Sequence, residues 1–194
     1  MPLDDYITRL EREVQRVNNM IGDLFLLDNV SGDSNKTLHK IYLNHVLNVC
    51  IQNARPFAWS RDIRITFENE VSDKAYIMGE QSQLINVFNK LLINAVHYGR
   101  DGGFITVRLY REKHNLLVDV TDNGIGIAPE HQNMIFERFY RVDAARTHRE
   151  NQGAGVGLNA VQHIVNFHGG DIQLNSKPGE GSTFTVMLPA LKTS

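Results

Sequence analysis

The chain has 194 residues, 42% of them hydrophobic, enough for one sizeable core with an appendage. Its formal net charge of −2, with Lys, Arg, Asp and Glu well mixed, gives no electrostatic case for nucleic acid or an anionic membrane surface as a partner. Cys50 is the only cysteine; set among Val46, Leu47, Val49 and Ile51, it reads as a small core hydrophobe in a reducing compartment, ahead of a reactive thiol.

No apolar run approaches the length of a bilayer span, and Met1-Pro2-Leu3-Asp4-Asp5 lacks the basic and apolar regions of a signal peptide. The expectation is a soluble, cytoplasmic chain. Leu3, Ile7, Leu10, Val14, Val17, Ile21 and Leu24 alternate in steps of four and three, with charged and polar residues such as Arg9, Glu11, Arg12 and Glu13 between them. That is a heptad seam, predicting a helix over 1–30 that buries a narrow stripe against a partner helix. A coiled coil or bundle between chains, a homodimer through 3–28, is favoured over an ordinary amphipathic core helix.

Ser31-Gly32-Asp33-Ser34-Asn35 breaks the pattern with turn-forming residues, so 31–39 reads as a linker, 40–190 as one globular α/β domain and 191–194 as a tail. Ile41 to Ala54 reads as a helix ending before Pro56. Ile63 to Phe67 and Ala75 to Met78 read as strands. A helix over 80–98, with Leu84, Val87, Phe88, Leu91, Leu92 and Ala95 on one face, runs to the turn cluster Gly99-Arg100-Asp101-Gly102-Gly103. Phe104 to Tyr110 and Asn115 to Thr121 read as paired strands, and Pro129 to Phe136 as a short helix opened by its proline. Arg138 to Gln152 has no periodicity and reads as a mobile lid. A further helix comes next, then strands over Asp171 to Ser176 and Ser182 to Leu188.

Two glycine sets carry chemistry. In the first, Leu116 to Val120 reads as a strand that delivers Asp122 to its exposed end, where its carboxylate can accept a hydrogen bond from the exocyclic amine of a base. Gly124 and Gly126, without Cβ, let the backbone turn with φ > 0 and approach a ring or a phosphate. In the second, Gly153, Gly155 and Gly157 precede a helical pattern of Val156, Val161, Ile164 and Val165, aiming backbone N–H groups at an anion. Either set alone is most often only a turn. The competing nucleotide fingerprints fail on spacing: Pro129, Leu158 and Ala160 stand where a dinucleotide fold would need its third glycine, and Gly-Lys-Ser/Thr occurs nowhere. His148-Arg149-Glu150 is an inadequate echo of a eukaryotic kinase catalytic loop.

With its pieces in this order, the chain resembles the ATP-binding catalytic domain of bacterial sensor histidine kinases, a branch of the GHKL ATPase superfamily. Leu91-Leu92-Ile93-Asn94-Ala95-Val96-His97-Tyr98 resembles the N box, and Asp122-Asn123-Gly124-Ile125-Gly126 the first glycine box. Phe136-Glu137-Arg138-Phe139-Tyr140-Arg141 resembles the F box, Gly153 to Leu158 the second glycine box, and Gly179-Glu180-Gly181-Ser182-Thr183-Phe184 the closing glycine turn. The heptad helix is similar to the second helix of the dimerisation and phosphotransfer hairpin.

The resemblance implies a Bergerat-type two-layer α/β (α+β) sandwich, a mixed sheet on one side and helices on the other, with ATP between the helical layer and the lid. It implies that Asn94 ligates Mg2+, that Asp122 selects adenine, and that His97 and Tyr98 lie against phosphate and ribose. Arg141 would reach the γ-phosphate, while Arg138, Arg146 and Arg149 read as solvated lid charges. Gly124, Gly126 and Ile127, Phe139 and Tyr140, then Gly153, Gly155, Val156, Gly157 and Leu158, and finally Thr183, are the remaining nucleotide-binding positions it implies.

Two departures stand out. Lys90 occupies the N-box position four residues before Asn94 where the family has Asn; Asn89 is one place earlier, a rotation of about 100° away. The family's phosphoacceptor signature, a His followed by an acidic residue and a later Pro, is matched by none of the eight histidines. The expectation is therefore a fragment that passes the γ-phosphate of ATP to a histidine on a phosphoacceptor helix outside this chain, for relay to an aspartate of a response regulator. Tyr140-Arg141-Val142-Asp143 looks most like kinases anchored in the bacterial inner membrane and paired with winged-helix regulators. An anti-sigma-type serine kinase and a degenerate nucleotide-binding scaffold are the rivals; the heptad helix and F box argue against the first, and Lys90 sustains the second.

Overall fold

The computed structural model describes residues 37–71, 75–142 and 157–191. Within them the chain runs β1 (His39–Tyr42), α1 (Leu43–Trp59), β2 (Arg64–Asn69), β3 (Tyr76–Gly79), α2 (Gln81–Tyr98), β4 (Phe104–Glu112) and β5 (Asn115–Asp122). After these come α3 (Pro129–Gln132), a 3-10 turn (Met134–Phe136), α4 (Gly157–Phe167), β6 (Asp171–Lys177) and β7 (Gly181–Pro189).

Five strands form a mixed sheet in the order β2-β4-β5-β7-β6; β2 and β4 run parallel and the other pairs antiparallel. Period-two alternation gives the sheet a dry and a wet side. Ile105, Val107, Leu109, Leu116, Val118, Val120, Ile172, Phe184, Val186 and Leu188 are buried toward the helices. The other face carries a row of threonines in register, Thr66, Thr106, Thr121 and Thr183. Within it Thr66 pairs with Thr106 at 3.2 Å and Thr121 with Thr183 at 3.0 Å through their hydroxyls.

The helices cover the dry face. α1 contributes Leu43, Val46, Leu47, Cys50, Ile51 and Ala54; α2 contributes Leu84, Val87, Phe88, Leu91 and Leu92; α4 contributes Val161, Ile164 and Val165. α2 lies in the middle, packed on α1 and on α4. Its start is fixed by Glu80, whose carboxylate accepts from the amides of Ser82 and Gln83 at 3.1 and 2.9 Å. Fully burying each of these large side chains contributes about 1.5–3 kcal/mol.

The sequence elements are found with two corrections. The helix expected to end before Pro56 runs on to Trp59, because the proline falls in its last turn and the buried Ala58 anchors the turn into β2: the Ile63 amide donates to the Ala58 carbonyl at 2.9 Å. Its start is later than expected, since His39–Tyr42 forms a strand paired antiparallel with β3. The heptad helix, the linker through residue 36, the lid beyond residue 142 and the tail from 192 lie outside the described residues. Among the described residues, no helix is long and apolar enough to cross a membrane.

Candidate nucleotide site

Lys90, Asn94 and Tyr98 stand at four-residue steps on α2 and so share one face. The stripe spans about 12 Å at the ordinary helical rise. One end meets the loop after β5: the Ile125 amide donates to the Tyr98 carbonyl at 3.1 Å. The other end meets the start of α4, for a Cβ placed on Gly157 would lie 2.5 Å from Lys90 Nζ. Asn94, half-buried, stands between. α2 thus connects the loop of Gly124 and Gly126 with Gly157, the described member of the second glycine set.

Asp122 ends β5 on the helix-facing side of the sheet and is 7% exposed, so the strand end is buried rather than open. Desolvation holds its pKa above the ordinary carboxylate value, against the lowering effect of the Gly124 and Ser182 amides that hydrogen-bond to it. The Gly124 bond is 2.7 Å long. Of the two glycines in this loop only Gly126 has a positive φ, at 68°. Gly124 is required for space instead: a Cβ there would sit 2.3 Å from the Tyr98 carbonyl oxygen. The close approach is therefore backbone to backbone. A Cβ on Gly126 would likewise fall 2.0 Å from the Lys177 carbonyl oxygen in the β6–β7 turn.

That turn closes the loop from its far side. The Gly179 amide donates to the Ile125 carbonyl at 2.7 Å, and Arg100 donates to the Gly179 carbonyl. The amide of Ile127, half-buried, donates to Ser176 Oγ at 2.8 Å, and its carbonyl accepts from Gln132 at 2.9 Å. His97 meets the Tyr98 ring edge-on, with centroids 4.7 Å apart. Tyr98 is 47% exposed, yet desolvation of its hydroxyl raises its pKa, and the nearby Arg141 charge opposes that rise. Arg141 therefore lies within electrostatic reach of the α2 stripe.

Other expected positions lie differently. Thr183 sits on the threonine face of the sheet, bonded to Thr121, while Ser182 is the residue in register with Asp122 on the helix side. The Ser182 hydroxyl pairs with Ser176 Oγ at 2.9 Å. The Tyr140 hydroxyl is within 2.6 Å of His131 Nδ1 and its ring packs on the core. Phe139 is 70% exposed with φ 65°, a strained conformation for a bulky side chain. Leu158 packs against the core from α4. Arg138 is engaged with Asn159, whose side chain also donates to the Phe136 carbonyl at 2.8 Å. Gly153, Gly155, Val156, Arg146 and Arg149 lie outside the described residues. Asn89, the alternative to Lys90, accepts from Asn53 of α1 at 3.3 Å and turns away from this stripe.

Comparison with known proteins agrees with this geometry. The sensor-like histidine kinase SenX3 of Mycobacterium tuberculosis is 34% identical over 180 residues, which are 92% of this chain and 43% of that protein. The phosphate regulon sensor protein PhoR of Pseudomonas aeruginosa is 31% identical, over 92% of this chain and 40% of that one. The chain therefore spans less than half the length of these relatives. The solved mycobacterial sensor histidine kinase MprB superposes with a TM-score of 0.69 at 25% identity, covering 80% of this chain and 99% of that one. Residues 79–192 match the family described as histidine kinase-, DNA gyrase B- and HSP90-like ATPase, and the chain belongs to that family.

Proposed function

We propose that this chain is the ATP-binding catalytic core of a two-component sensor histidine kinase. The observation that carries the reading is Asp122, a buried carboxylate at the foot of the α2 stripe, held by two backbone amides. A carboxylate has about four lone-pair sites, so two amides leave room for the exocyclic amine of adenine. Tyr98 and His97 then flank the nucleoside, and the stripe leads from them to Asn94 and Lys90.

Asn94 offers an amide oxygen, a hard donor that suits Mg2+ otherwise held by phosphates and water. Bound there, the ion neutralises phosphate charge and orients the γ-phosphoryl group. Lys90, beside the first residue of α4, supplies a point charge for a phosphate where helix N–H groups also face outward. Arg141 stabilises charge on the transferred group from the lid side. Gly153, Gly155, Val156, Gly157 and Leu158 are the further phosphate-binding positions of this reading, and Thr183 contributes by pairing with Thr121, one residue before Asp122.

In the parent protein, residues 1–30 form the second helix of a dimerisation hairpin and pair through 3–28, 31–39 link it to the catalytic domain of 40–190, and the γ-phosphate passes to a histidine on the preceding helix. An aspartate of a response regulator receives it next. The parent is anchored in the bacterial inner membrane with this portion on the cytoplasmic side.

The test is to incubate the parent protein, including the preceding helix, with γ-labelled ATP. The label is expected on the protein, labile in acid and stable in alkali as a phosphoramidate is, and lost in Asn94→Ala and Asp122→Asn. Acid-stable label would support a serine kinase instead, and ATP binding without label would support a scaffold.

A further inference from the structure

Arg61 lies in the tight turn after α1 and its side chain, 18% exposed, crosses to the end of α2. Its Nη1 donates to the carbonyls of Val96 and His97, the latter at 3.1 Å, and its Nη2 to the Gly99 carbonyl at 2.8 Å. Nε donates to Asp101 Oδ1 at 2.7 Å. The Arg61 backbone carbonyl accepts from the Gly102 amide at 3.0 Å. The last carbonyls of a helix have no partner within it, and a cation at that end also complements the helix dipole. One guanidinium borrowed from another element satisfies several of them here.

The turn it grips is the one that seats the candidate site. Tyr98, between the gripped carbonyls, accepts from Ile125, and Gly124 abuts the same carbonyl while its own amide holds Asp122. We propose that Arg61 is a positioning residue of the nucleotide site, fixing the C-terminal turn of α2 so that the loop of 122–126 and the Asp122 carboxylate are set for the base. Arg61 touches no nucleotide, and its role rests on the reading of this pocket as an ATP site. A lysine cannot replace it, because the several acceptors need a planar fork of donors and an ammonium is a single point.

The experiment uses the full chain in four forms, wild type, Arg61→Ala, Arg61→Lys and Asp101→Asn, titrated with ADP in the presence and absence of Mg2+. Amide hydrogen exchange is monitored at Ile125 and at the core residue Val118. Arg61→Ala is expected to weaken ADP about tenfold, by the same factor with and without Mg2+, the size of a lost charge-assisted hydrogen bond. Ile125 then exchanges faster while Val118 keeps its protection. Arg61→Lys recovers less than half of the loss on a logarithmic scale. Asp101→Asn stays within about twofold, since its carboxylate is 66% exposed and the pair is screened.

Wild-type affinity in folded Arg61→Ala would overturn the inference, as would loss of protection at Val118 in step with Ile125, which marks general destabilisation. If Arg61→Ala does not fold, Arg61→Lys decides: unchanged affinity and unchanged Ile125 exchange overturn the proposal, and a Mg2+-independent loss supports it. A folded wild type that does not bind ADP would overturn the pocket reading, and with it the role of Arg61 in nucleotide binding.

Discussion

The Gly124 amide donates to Asp122 Oδ1 across 2.7 Å, so the loop after β5 is folded back onto the carboxylate that ends the strand. Burial raises the Asp122 pKa above 3.8, its ordinary value. A raised folded value contributes stability that is present below the unfolded pKa and lost as pH rises through the folded one. The ionised carboxylate is thus a net cost near neutrality, kept for its function. Asp122→Asn is expected to lose nucleotide binding while gaining stability relative to wild type as pH rises above the ordinary carboxylate value of 3.8. Thermal melts across that range check the sign; a relative stability that falls with pH would contradict it.

Lys90 takes the opposite test. If it holds a phosphate, Lys90→Ala weakens ATP about tenfold or more and leaves adenosine unchanged, since a charge-assisted bond is lost only where a phosphate is present. Equal losses for the two ligands, read by calorimetry, would show that the lysine merely supports α4.

His168 is buried between α4 and the start of α2. Its Nδ1 is 2.7 Å from the Ile164 carbonyl, and its Nε2 accepts from the Glu80 amide at 3.0 Å, an arrangement that only the neutral ring with a proton on Nδ1 satisfies. Desolvation lowers its pKa from 6.5, outweighing the Ile164 carbonyl and the Glu80 charge. A histidine with a depressed folded value contributes stability above its unfolded pKa and loses it as pH falls. Chemical denaturation should show stability declining below pH 6.5, and His168→Gln, which has no ring to protonate, should flatten that decline.

Cys50 lies fully buried against α2, where desolvation pushes its thiol up to about 12. Only the thiolate reacts. A thiol reagent at mildly alkaline pH should label the unfolded chain promptly and the native chain only at the rate of unfolding. Prompt labelling of native protein would place the thiol outside the core.

Much of this was legible because period and punctuation agree. α2 shows its apolar face at helical spacing and stops at a glycine cluster; β4, β6 and β7 alternate because one face is wet, and β5 stands out by its apolar run. β1 was not legible, since four residues carry little periodicity and its partner β3 is more than thirty residues away in the chain. Pro56 misled because a proline in a last turn costs one hydrogen bond without ending the helix. At the site, Asp122 and the glycines stood out by type and spacing, but the need for Gly124 to make room for the Tyr98 carbonyl depends on packing and could not be read from spacing. The choice between Thr183 and Ser182 was open to sequence reasoning: strand alternation puts neighbours on opposite faces, and pairing with β5 decides which one shares a side with Asp122. Nothing local marks Arg61, whose acceptors lie some forty residues on.

The most direct test of the account is calorimetric titration of this chain with a non-hydrolysable ATP analogue, with and without Mg2+, for wild type, Asp122→Asn and Asn94→Ala. Binding in the micromolar range, about −8 kcal/mol, is expected for wild type. It should vanish in Asp122→Asn and weaken in Asn94→Ala only when Mg2+ is present. A folded wild-type chain that binds no analogue under either condition would contradict the assignment of the Asp122 pocket to ATP.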